Sequence, residues 1–358
     1  MKKFDYMSKY GYEQLSYFYD KSTGLKAIIC VHSTSLGPAL GGTRFLDYAD
    51  EDDAVEDVLR LAKGMTYKNA CAGLNIGGGK SVIIGDAKAL KEDSVKREAF
   101  WRTFGRYVES LNGRYIAAED VNTTTSDMDF IAMETDFVAG LESKSGTPSP
   151  FTALGVINSI KACVKEVYGE ESLNGKTVAI QGLGSVGFDL ARKLHKEGAK
   201  LYVTTRDKAK VQKAVEELGA IPVGLDEIYD LECDIYCPCA LGATVNDDTV
   251  NRLKCKIIAG AANNVLKDAP VHGQILFDRG IIYAPDYVAN SGGVINVYQE
   301  LLGYDEDAAI KKINFIYDRT REIIRISKET KTPTYLIADQ MAEARIEAVK
   351  NLKRIYNR

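Results

Sequence analysis

The sequence has little of what several protein classes require. No apolar stretch in its 358 residues approaches the roughly 20 residues that cross a bilayer. The N-terminus turns polar at Asp5, before the core of a signal peptide could form. Lysine and arginine number 46 against 50 aspartates and glutamates, which leaves a net charge of −4 and no basic excess to neutralise nucleic-acid phosphates. These absences predict a cytoplasmic protein that binds neither membranes nor nucleic acid.

Disulfide and metal-binding patterns are also absent. The seven cysteines are scattered, and most lie in apolar runs such as 28–31, where cysteine behaves as a small buried hydrophobe. Cys237 and Cys239 enclose a single residue, whereas redox and zinc pairs usually enclose two, and no second cluster or nearby histidine completes a tetrahedral site. We therefore expect reduced thiols and no bound metal.

Length and composition predict two α/β domains. A chain of 358 residues exceeds what one hydrophobic core usually organises, and 45% hydrophobic with 27% charged residues is typical of a globular protein. Strand-like and helix-like segments alternate in the first third, and residues 143–150 are polar and proline-rich, as at a domain crossing. The predicted domains are 1–147 and 148–330, with a last helix within 331–358 that packs back on the first domain.

The second predicted domain carries a dinucleotide-binding pattern. Its segments alternate between strand and helix from Thr177 onward, which predicts a doubly wound parallel sheet. Residues 182–187 fit G-x-G-x-x-G, follow an apolar strand and open an amphipathic helix. Glycines permit a tight turn, and the helix N-terminus offers amide hydrogens and a positive dipole end to a pyrophosphate. The predicted cofactor contacts in this turn are Gly182, Gly184, Ser185, Val186 and Gly187.

The end of the next strand leaves the choice between NAD and NADP open. NAD-binding folds usually place an acidic residue about twenty positions after the turn, where it binds the ribose hydroxyls. Here the strand leads into Thr205 and Arg206, and a guanidinium without a competing carboxylate accommodates a 2′-phosphate. Lys208 and Lys210 add to the positive field. In the alternative interpretation, Arg206 is solvated and Asp207 binds the ribose.

Two lysines in the first domain indicate acid–base chemistry. Three glycines, residues 77–79, precede Lys80, but the glycine spacing differs from that of a P-loop and a strand follows instead of a helix. The glycines predict a loop where backbone and ligand come close. Lys68 is expected at or just beyond the end of a helix. Two ammonium groups in one partly dry cleft do not both stay charged, so one amine would serve as a base and the other would hold a carboxylate. Solvated surface lysines are the alternative.

Six segments carry a further pattern: LGPALGGTR (36–44), AKGMTYK (62–68), GGGK (77–80), AEDV (118–121), PCALGA (238–243) and NSGGVINV (290–297). Together, and in this order, they resemble the signature segments of the Glu/Leu/Phe/Val amino acid dehydrogenases, most of all those that oxidise leucine. The resemblance covers nearly the whole chain. It implies an N-terminal α/β substrate domain, a C-terminal Rossmann domain, NAD as the default cofactor and a homo-oligomer, either an octamer or a dimer.

The resemblance also implies roles for individual residues. Lys80 would be the general base acting on water, Lys68 the ligand of the substrate carboxylate, and Asp120 the acid that moves a proton at the amino group. Hydride would leave the substrate Cα for the nicotinamide, and ammonia would depart to leave a 2-oxo acid. Gly41 and Asn264 would hold the amino acid, with Asn263 as the alternative to Asn264. The residues expected near the nicotinamide are Thr152, Cys239, Ala240 and Asn263.

Substrate choice would depend on an apolar pocket. A glutamate-specific enzyme would place a lysine near the Leu40 position, which is absent here. Ala139 stands where leucine enzymes tend to carry threonine, and Tyr298-Gln299 replaces a usual Ala-Asp. The expected substrates are therefore leucine and other branched-chain amino acids, with phenylalanine or another large apolar amino acid as the alternative. The positions that meet the side chain in similar enzymes are Leu40, Met65, Ala118, Ala139, Val294 and Val297.

Two other functions compete with this interpretation. A 2-hydroxy acid dehydrogenase normally needs a catalytic histidine, but His32, His195 and His272 all lie in unsuitable contexts. A non-catalytic nucleotide-binding sensor of the same fold is the second alternative. Retained charges at Lys68, Lys80 and Asp120 argue against it, because buried charges without a function are costly to keep.

Overall fold

The first part of the chain is built on a mixed five-stranded sheet. The computed structural model describes residues 2–240 and 242–353. The sheet order is β1-β2-β4-β3-β5, in which β2 is antiparallel to β1 and β4, and β3 is parallel to β4 and β5. The strands are β1 (Gln14–Asp20), β2 (Leu25–Ser33), β3 (Ala39–Leu46), β4 (Gly77–Ile84) and β5 (Tyr115–Glu119).

Helices cover both faces of this sheet. Alternate residues of β2 point to opposite faces, so that Ile28 packs on one side with Leu59 while Ile29 packs on the other with Trp101. Both faces are therefore buried, which explains the near-continuous apolar run of this strand. The helices are α1 (Lys3–Tyr10), α2 (Glu51–Cys71), α3 (Ala87–Lys91), α4 (Ser94–Glu109) and α5 (Thr125–Ala132).

Of two local predictions in the lysine region, one was confirmed and one was wrong. Helix α2 continues to Cys71, so Lys68 lies in its last turn, at the end of the helix. The three glycines before Lys80 belong to β4 and do not form a loop. Their lack of side chains lets the strand approach α2 closely, since a Cβ added at Gly78 would lie 2.1 Å from the backbone nitrogen of Thr66. This contact between distant segments stabilises a strand that glycine would otherwise disfavour.

The second part of the chain contains a six-stranded sheet in which every pairing is parallel, and this confirms the predicted doubly wound fold. The order β11-β10-β9-β6-β7-β8 reverses its direction along the chain between β6 and β9. Ligands of such sheets bind beyond the carboxyl ends of the strands at that reversal. The strands are β6 (Thr177–Gln181), β7 (Lys200–Thr204), β8 (Ile221–Pro222), β9 (Ile235–Pro238), β10 (Ile257–Ile258) and β11 (Ile282–Tyr283).

Eight α-helices lie in the rest of the described chain. Within the stretches 2–240 and 242–353, none of the helices has the length and apolar character needed to cross a membrane. The helices are α6 (Ser149–Tyr168), α7 (Ser185–Lys196), α8 (Lys208–Leu218), α9 (Gln274–Asp278), α10 (Asp286–Ala289), α11 (Gly292–Glu300), α12 (Glu306–Thr330) and α13 (Thr334–Lys353).

The chain divides into two units whose membership differs in part from the predicted domains. The first unit comprises residues up to Thr147, Val297–Glu306 and the chain from Ala342 onward, and the second comprises Pro148–Asn296 and Asp307–Met341. The ends of α11 and α13 thus belong to the first unit. Residues 354–358 of the predicted last helix lie outside the described residues.

The end of α13 is fixed to the first unit by Arg345. Its guanidinium donates to the carbonyls of Leu74 at 2.7 Å and Ala70 at 3.2 Å, and to Asn75 Oδ1 at 2.9 Å. These acceptors lie at and just after the C-terminal end of α2, where backbone carbonyls lack intrahelical partners and the helix dipole favours positive charge. Arg345 therefore caps the C-terminal end of α2, the helix that carries Lys68.

We expect Arg345→Met to lower the free energy of unfolding of the first unit by about 1–3 kcal/mol, because several carbonyls lose a charged donor. Trp101 is the single tryptophan and is buried in this unit, so its fluorescence during urea denaturation measures the change. Arg106→Met is the control, since Arg106 forms an exposed ion pair with Glu134 and exposed ion pairs contribute little to stability. Equal losses in both variants would contradict the capping role.

Candidate functional site

A buried ion pair joins two strands of the first unit. Lys80 on β4 is only 4% exposed, and its Nζ donates to Asp120 Oδ2 at 3.0 Å. Burial lowers the pKa of Lys80 below its usual value, and the positive charge of Arg44 adds to this, although Asp120 opposes it. Burial alone would raise the pKa of Asp120, but Lys80 and Arg44 outweigh burial and hold that pKa well below its usual range. The pair thus combines an amine disposed to lose its proton with a carboxylate that stays ionised.

Gly42 on β3 provides the space for this pair. A Cβ added there would lie 2.9 Å from Lys80 Nζ and 2.7 Å from Asp120 Cβ. The neighbouring Gly41 is equally restricted, since its added Cβ would lie 1.9 Å from the carbonyl oxygen of Gly79. The carbonyl of Gly41 accepts a hydrogen bond from the buried Tyr115 hydroxyl at 2.7 Å. Both glycines therefore let β3 approach the lysine strand.

Three residues outside the predicted set extend the ion pair. Arg44 Nε donates to Asp120 Oδ2 at 3.0 Å, and its Nη1 donates to Asp57 Oδ2 at 3.0 Å. The Tyr48 hydroxyl donates to the same Asp57 oxygen at 2.7 Å. Arg44 closes the segment 36–44, but the sequence analysis gave it no role. Asp57 stands among the acidic residues that open α2, and nothing in its spacing distinguishes it from a solvated side chain.

Lys68 lies on α2, whose contacts with β4 bring the two predicted lysines onto neighbouring elements. Next to it, Asn69 Nδ2 donates to the carbonyl of Gly77 at 2.6 Å. The lowered pKa expected for one amine is found at Lys80, but the neighbouring cation that contributes to it is Arg44. Repulsion between the two lysines, which the sequence predicts as the cause, is not among the main causes of this shift.

Five of the predicted pocket residues belong to the first unit. Leu40 on β3 and Ala118 on β5 are buried, and Ala139 is held beside β5 by its amide, which donates to the carbonyl of Ala117 at 2.9 Å. Glu300 near the end of α11 accepts from the amide of Gly140 at 3.0 Å, so the helix that bears Val297 is tied to the segment after Ala139. The remaining members are Val297, which is buried, the half-buried Met65, and Val294, which belongs to the second unit.

A cavity of about 460 Å³ lies within the second unit beyond the carboxyl ends of β6, β7 and β9. This is the point where the strand order reverses, and it is where a dinucleotide binds in such sheets. Four of the predicted cofactor residues line it: Gly182, Thr205, Arg206 and Ala240. The other lining residues were not predicted from the sequence: Gln181, Thr204, Leu225, Tyr229, Gly242, Ala243 and Thr244.

The glycine turn fits a pyrophosphate. Gly182 has a φ of +104° and approaches β9 so closely that an added Cβ would lie 2.8 Å from the amide nitrogen of Ala240. Gly187 is packed against the carbonyl of Gly182, whereas a Cβ at Gly184 would meet no atom within 4 Å. Gly184 caps α7, so the open side of the turn faces the first amides of that helix, including those of Ser185 and Val186.

The strand end after β7 favours one of the two cofactor interpretations. The carboxylate of Asp207 accepts from the amides of Ala209 at 3.1 Å and Lys210 at 3.3 Å, and thereby caps α8. Arg206 is exposed and forms no hydrogen bond or ion pair with any residue that the structure describes. A carboxylate already engaged in capping is poorly placed to bind ribose hydroxyls, whereas the guanidinium remains available to an anion.

The other predicted residues of the second unit lie outside the lining of the cavity. The amide of Cys239 donates to the carbonyl of Gln181 at 2.7 Å, which places Cys239 beside the glycine turn. Asn290 Nδ2 donates to Asn263 Oδ1 at 2.8 Å, and the neighbouring Asn264 is exposed with a φ of +52°. The Thr152 hydroxyl donates to the carbonyl of Pro148 at 3.0 Å.

Metal chemistry receives no support from side-chain clustering. Among residues 2–240 and 242–353, no group of three or more histidine, cysteine, aspartate or glutamate side chains is arranged to hold a metal ion.

Comparisons with known proteins agree with this geometry. The family described as "Glu/Leu/Phe/Val dehydrogenase, dimerisation domain" matches residues 14–137, and "Glutamate/Leucine/Phenylalanine/Valine dehydrogenase" matches residues 147–211 and 201–351. A leucine dehydrogenase of Thermoactinomyces intermedius is 56% identical over 99% of this chain and 96% of its own length. An L-tryptophan dehydrogenase of Nostoc punctiforme is 46% identical over 99% of this chain and 98% of its own length.

Solved structures show the same relationship. The crystal structure of L-tryptophan dehydrogenase from Nostoc punctiforme matches with a TM-score of 0.81 and 43% sequence identity, and the match covers 97% of this chain and 99% of that chain. Hetero-hexameric glutamate dehydrogenase from Thermus thermophilus has the same fold, with a TM-score of 0.80 at 22% identity over 97% of this chain and 91% of that chain. The chain therefore belongs to the Glu/Leu/Phe/Val family of amino acid dehydrogenases.

Proposed function

We propose that this protein catalyses the reversible oxidative deamination of an apolar L-amino acid, with leucine and other branched-chain amino acids first, to the 2-oxo acid and ammonia. Hydride is transferred to a nicotinamide dinucleotide. The observation that carries the proposal is the buried ion pair of Lys80 and Asp120, which supplies a base and a carboxylate at 3.0 Å from each other. The leucine dehydrogenases that are 55–56% identical to the chain support the same reaction.

In the proposed mechanism, residues of the first unit bind the substrate and remove protons from it and from water. A nicotinamide dinucleotide bound to the protein would supply the acceptor for the hydride that leaves the substrate Cα. Lys68 binds the substrate carboxylate, and Lys80 in its neutral form takes a proton from the water that attacks the resulting iminium carbon. Asp120 is ionised before the reaction, accepts a proton from the substrate ammonium and later returns it to the departing amine. Buried Lys80 suits this role because a lowered pKa leaves more of the amine neutral than an ordinary lysine would have at the same pH.

The proposed substrate preference is based on the small and apolar character of the pocket positions. Burying the distal carboxylate of glutamate beside Leu40 without a cation would cost several kcal/mol. Ala139 leaves room for a side chain larger than that of leucine. Large aromatic amino acids are the second candidate substrates, because a tryptophan dehydrogenase and a phenylalanine dehydrogenase are 46% and 41% identical to the chain.

We further propose that the enzyme uses NAD and also accepts NADP, that it is a homo-oligomer and that it works in the cytoplasm. The availability of Arg206 supports binding of the 2′-phosphate. The family description of residues 14–137 as a dimerisation domain supports self-association. None of the seven cysteines forms a disulfide, which suits a reducing compartment.

A turnover matrix tests the function. We expect leucine, valine and isoleucine to be oxidised faster than phenylalanine and tryptophan, and glutamate to be inactive, because the pocket lacks a cation for a second carboxylate. Preferences among the apolar substrates should be modest, since one methylene changes transition-state binding by only about 1–3 kcal/mol. Reduction of NAD and NADP is followed by absorbance. A complete lack of turnover with apolar amino acids, and with apolar 2-oxo acids plus ammonia, would favour the non-catalytic sensor.

Removing the base tests the mechanism. We expect Lys80→Met to lower kcat by about 100-fold to 10,000-fold, as loss of general base catalysis typically does, while cofactor affinity stays close to that of the wild type. Steady-state kinetics with leucine measure kcat, and fluorescence titration measures NADH binding. Lys96→Met provides the control, because Lys96 is an exposed lysine of the same unit. A Lys80→Met enzyme that retained most of its kcat would contradict the assignment.

Removing the guanidinium tests the cofactor proposal. We expect Arg206→Ala to lower the ratio of kcat/KM for NADPH to that for NADH by about tenfold or more, since a charge-assisted hydrogen bond to the phosphate contributes about 1.5–3 kcal/mol. Lys213→Ala, an exposed change on α8, should leave the ratio unchanged. An unaltered ratio in Arg206→Ala would mean that Arg206 is merely solvated.

A further inference from the structure

We propose that Arg44 and Asp57 are positioning residues of the deamination, which orient Asp120 and set the acid–base behaviour of Lys80 with opposite signs. This inference depends on the proposed function, which assigns the reacting groups to Lys80 and Asp120. Neither Arg44 nor Asp57 belongs to the site predicted from the sequence.

The Arg44 side chain connects Asp120 with Asp57. Its guanidinium bridges two carboxylates from different elements: Nε donates to Asp120 Oδ2 at 3.0 Å, and Nη1 donates to Asp57 Oδ1 at 3.2 Å and to Asp57 Oδ2 at 3.0 Å. Asp57 is itself held by the Tyr48 hydroxyl at 2.7 Å. Strand β3, helix α2 and the end of β5 therefore meet at one planar group. A lysine amine has no such fork and lacks the means to reproduce both contacts in a fixed orientation.

The two carboxylate oxygens of Asp120 differ in whether they can contact the substrate. Lys80 Nζ and Arg44 Nε both donate to Oδ2. Oδ1 accepts no hydrogen bond from any residue that the structure describes, although the side chain is only 19% exposed. Two cations on one oxygen fix the rotation of the carboxylate and leave the other oxygen for the substrate nitrogen. Proton transfer depends on such fixed geometry.

Charged and titratable groups on the elements around Lys80 set its protonation. Arg44 on β3 repels the charged form of Lys80 and lowers its pKa, whereas Asp120 after β5 and Asp57 on α2 favour the charged form and raise it. Glu119 at the end of β5 has a pKa raised to about 7 by burial and by its acidic neighbours. Cys30 on β2 is paired with Lys80 in the sheet, and burial raises the pKa of its thiol well above the usual value, so it stays neutral. Burial likewise raises the pKa of the Tyr48 hydroxyl, and Lys68 lies on α2. Arg44 and Asp57 are thus a matched pair with opposite expected effects.

Two variants with opposite predicted shifts provide the experiment. The kcat/KM for leucine oxidation is measured against pH, and its acid limb reports the deprotonation of Lys80. Arg44→Met should move this limb to higher pH by about one unit, because it removes a positive charge that disfavours the ammonium form of Lys80. A charge within a few ångströms typically shifts a pKa by about 1–3 units. Asp57→Asn should move it to lower pH, and the double variant should return toward the wild-type position.

Arg44→Lys separates charge from orientation. It keeps a positive charge beside Lys80 but loses the bridging fork, so the acid limb should stay near its wild-type position while kcat on the plateau falls by about tenfold. Arg97→Met is the matched control. Arg97 pairs with the buried Asp127 at 2.7 Å in the same unit, so its loss should lower stability and leave the acid limb in place.

Failure of this inference and failure of the proposed function give different results. Acid limbs that do not move, or that move in the same direction in Arg44→Met and Asp57→Asn, would overturn the inference. If the wild type oxidises no apolar amino acid, the proposed function fails, and NMR titration of the Lys80 amine in the same variants still decides whether the two residues act on it with opposite signs. If Arg44→Met does not fold, as judged by Trp101 fluorescence, then Asp57→Asn and Arg44→Lys carry the test alone.

Discussion

The chemistry of this protein depends on burying one lysine beside one ionised carboxylate. Burial penalises the ammonium form of Lys80, while Asp120 at 3.0 Å stabilises it, and the balance between these effects decides how much neutral amine is available as a base. An unpaired buried ammonium would destabilise the fold, and a lysine fully matched by its partner would not lose its proton at an accessible pH. Arg44 changes this balance because it competes with Lys80 for the same carboxylate oxygen.

Glycine makes this arrangement sterically possible. Gly42 leaves room for Lys80 Nζ, Gly41 lets β3 cross close to Gly79, and Gly78 lets β4 lie against α2. The strands that bear the reacting groups thereby approach one another more closely than side chains would allow. In the second unit, glycines serve a different purpose at Gly182, where the left-handed backbone turns the chain toward the amides that receive a pyrophosphate.

The two sites differed in how far the sequence could predict them. The dinucleotide turn was predictable because strand, glycines and helix are contiguous, and β6 begins at Thr177, where the predicted alternation starts. The contact between Arg44 and Asp120 joins residues 76 positions apart, and Asp57 lies among acidic residues of one helix. No local pattern marks such a pairing. The glycines of β4 were assigned to a loop for a related reason, since the packing that makes them a strand comes from a distant helix.

The role of Lys80 as a base is tested most directly by the pKa of its amine in the wild-type protein, measured by NMR with labelled lysine and assigned by comparison with Lys80→Met. We expect the midpoint of this titration to lie below the ordinary lysine value of about 10.4. A midpoint at or above that value would show that Asp120 outweighs burial, and Lys80 would then lack the neutral form on which the proposed chemistry depends.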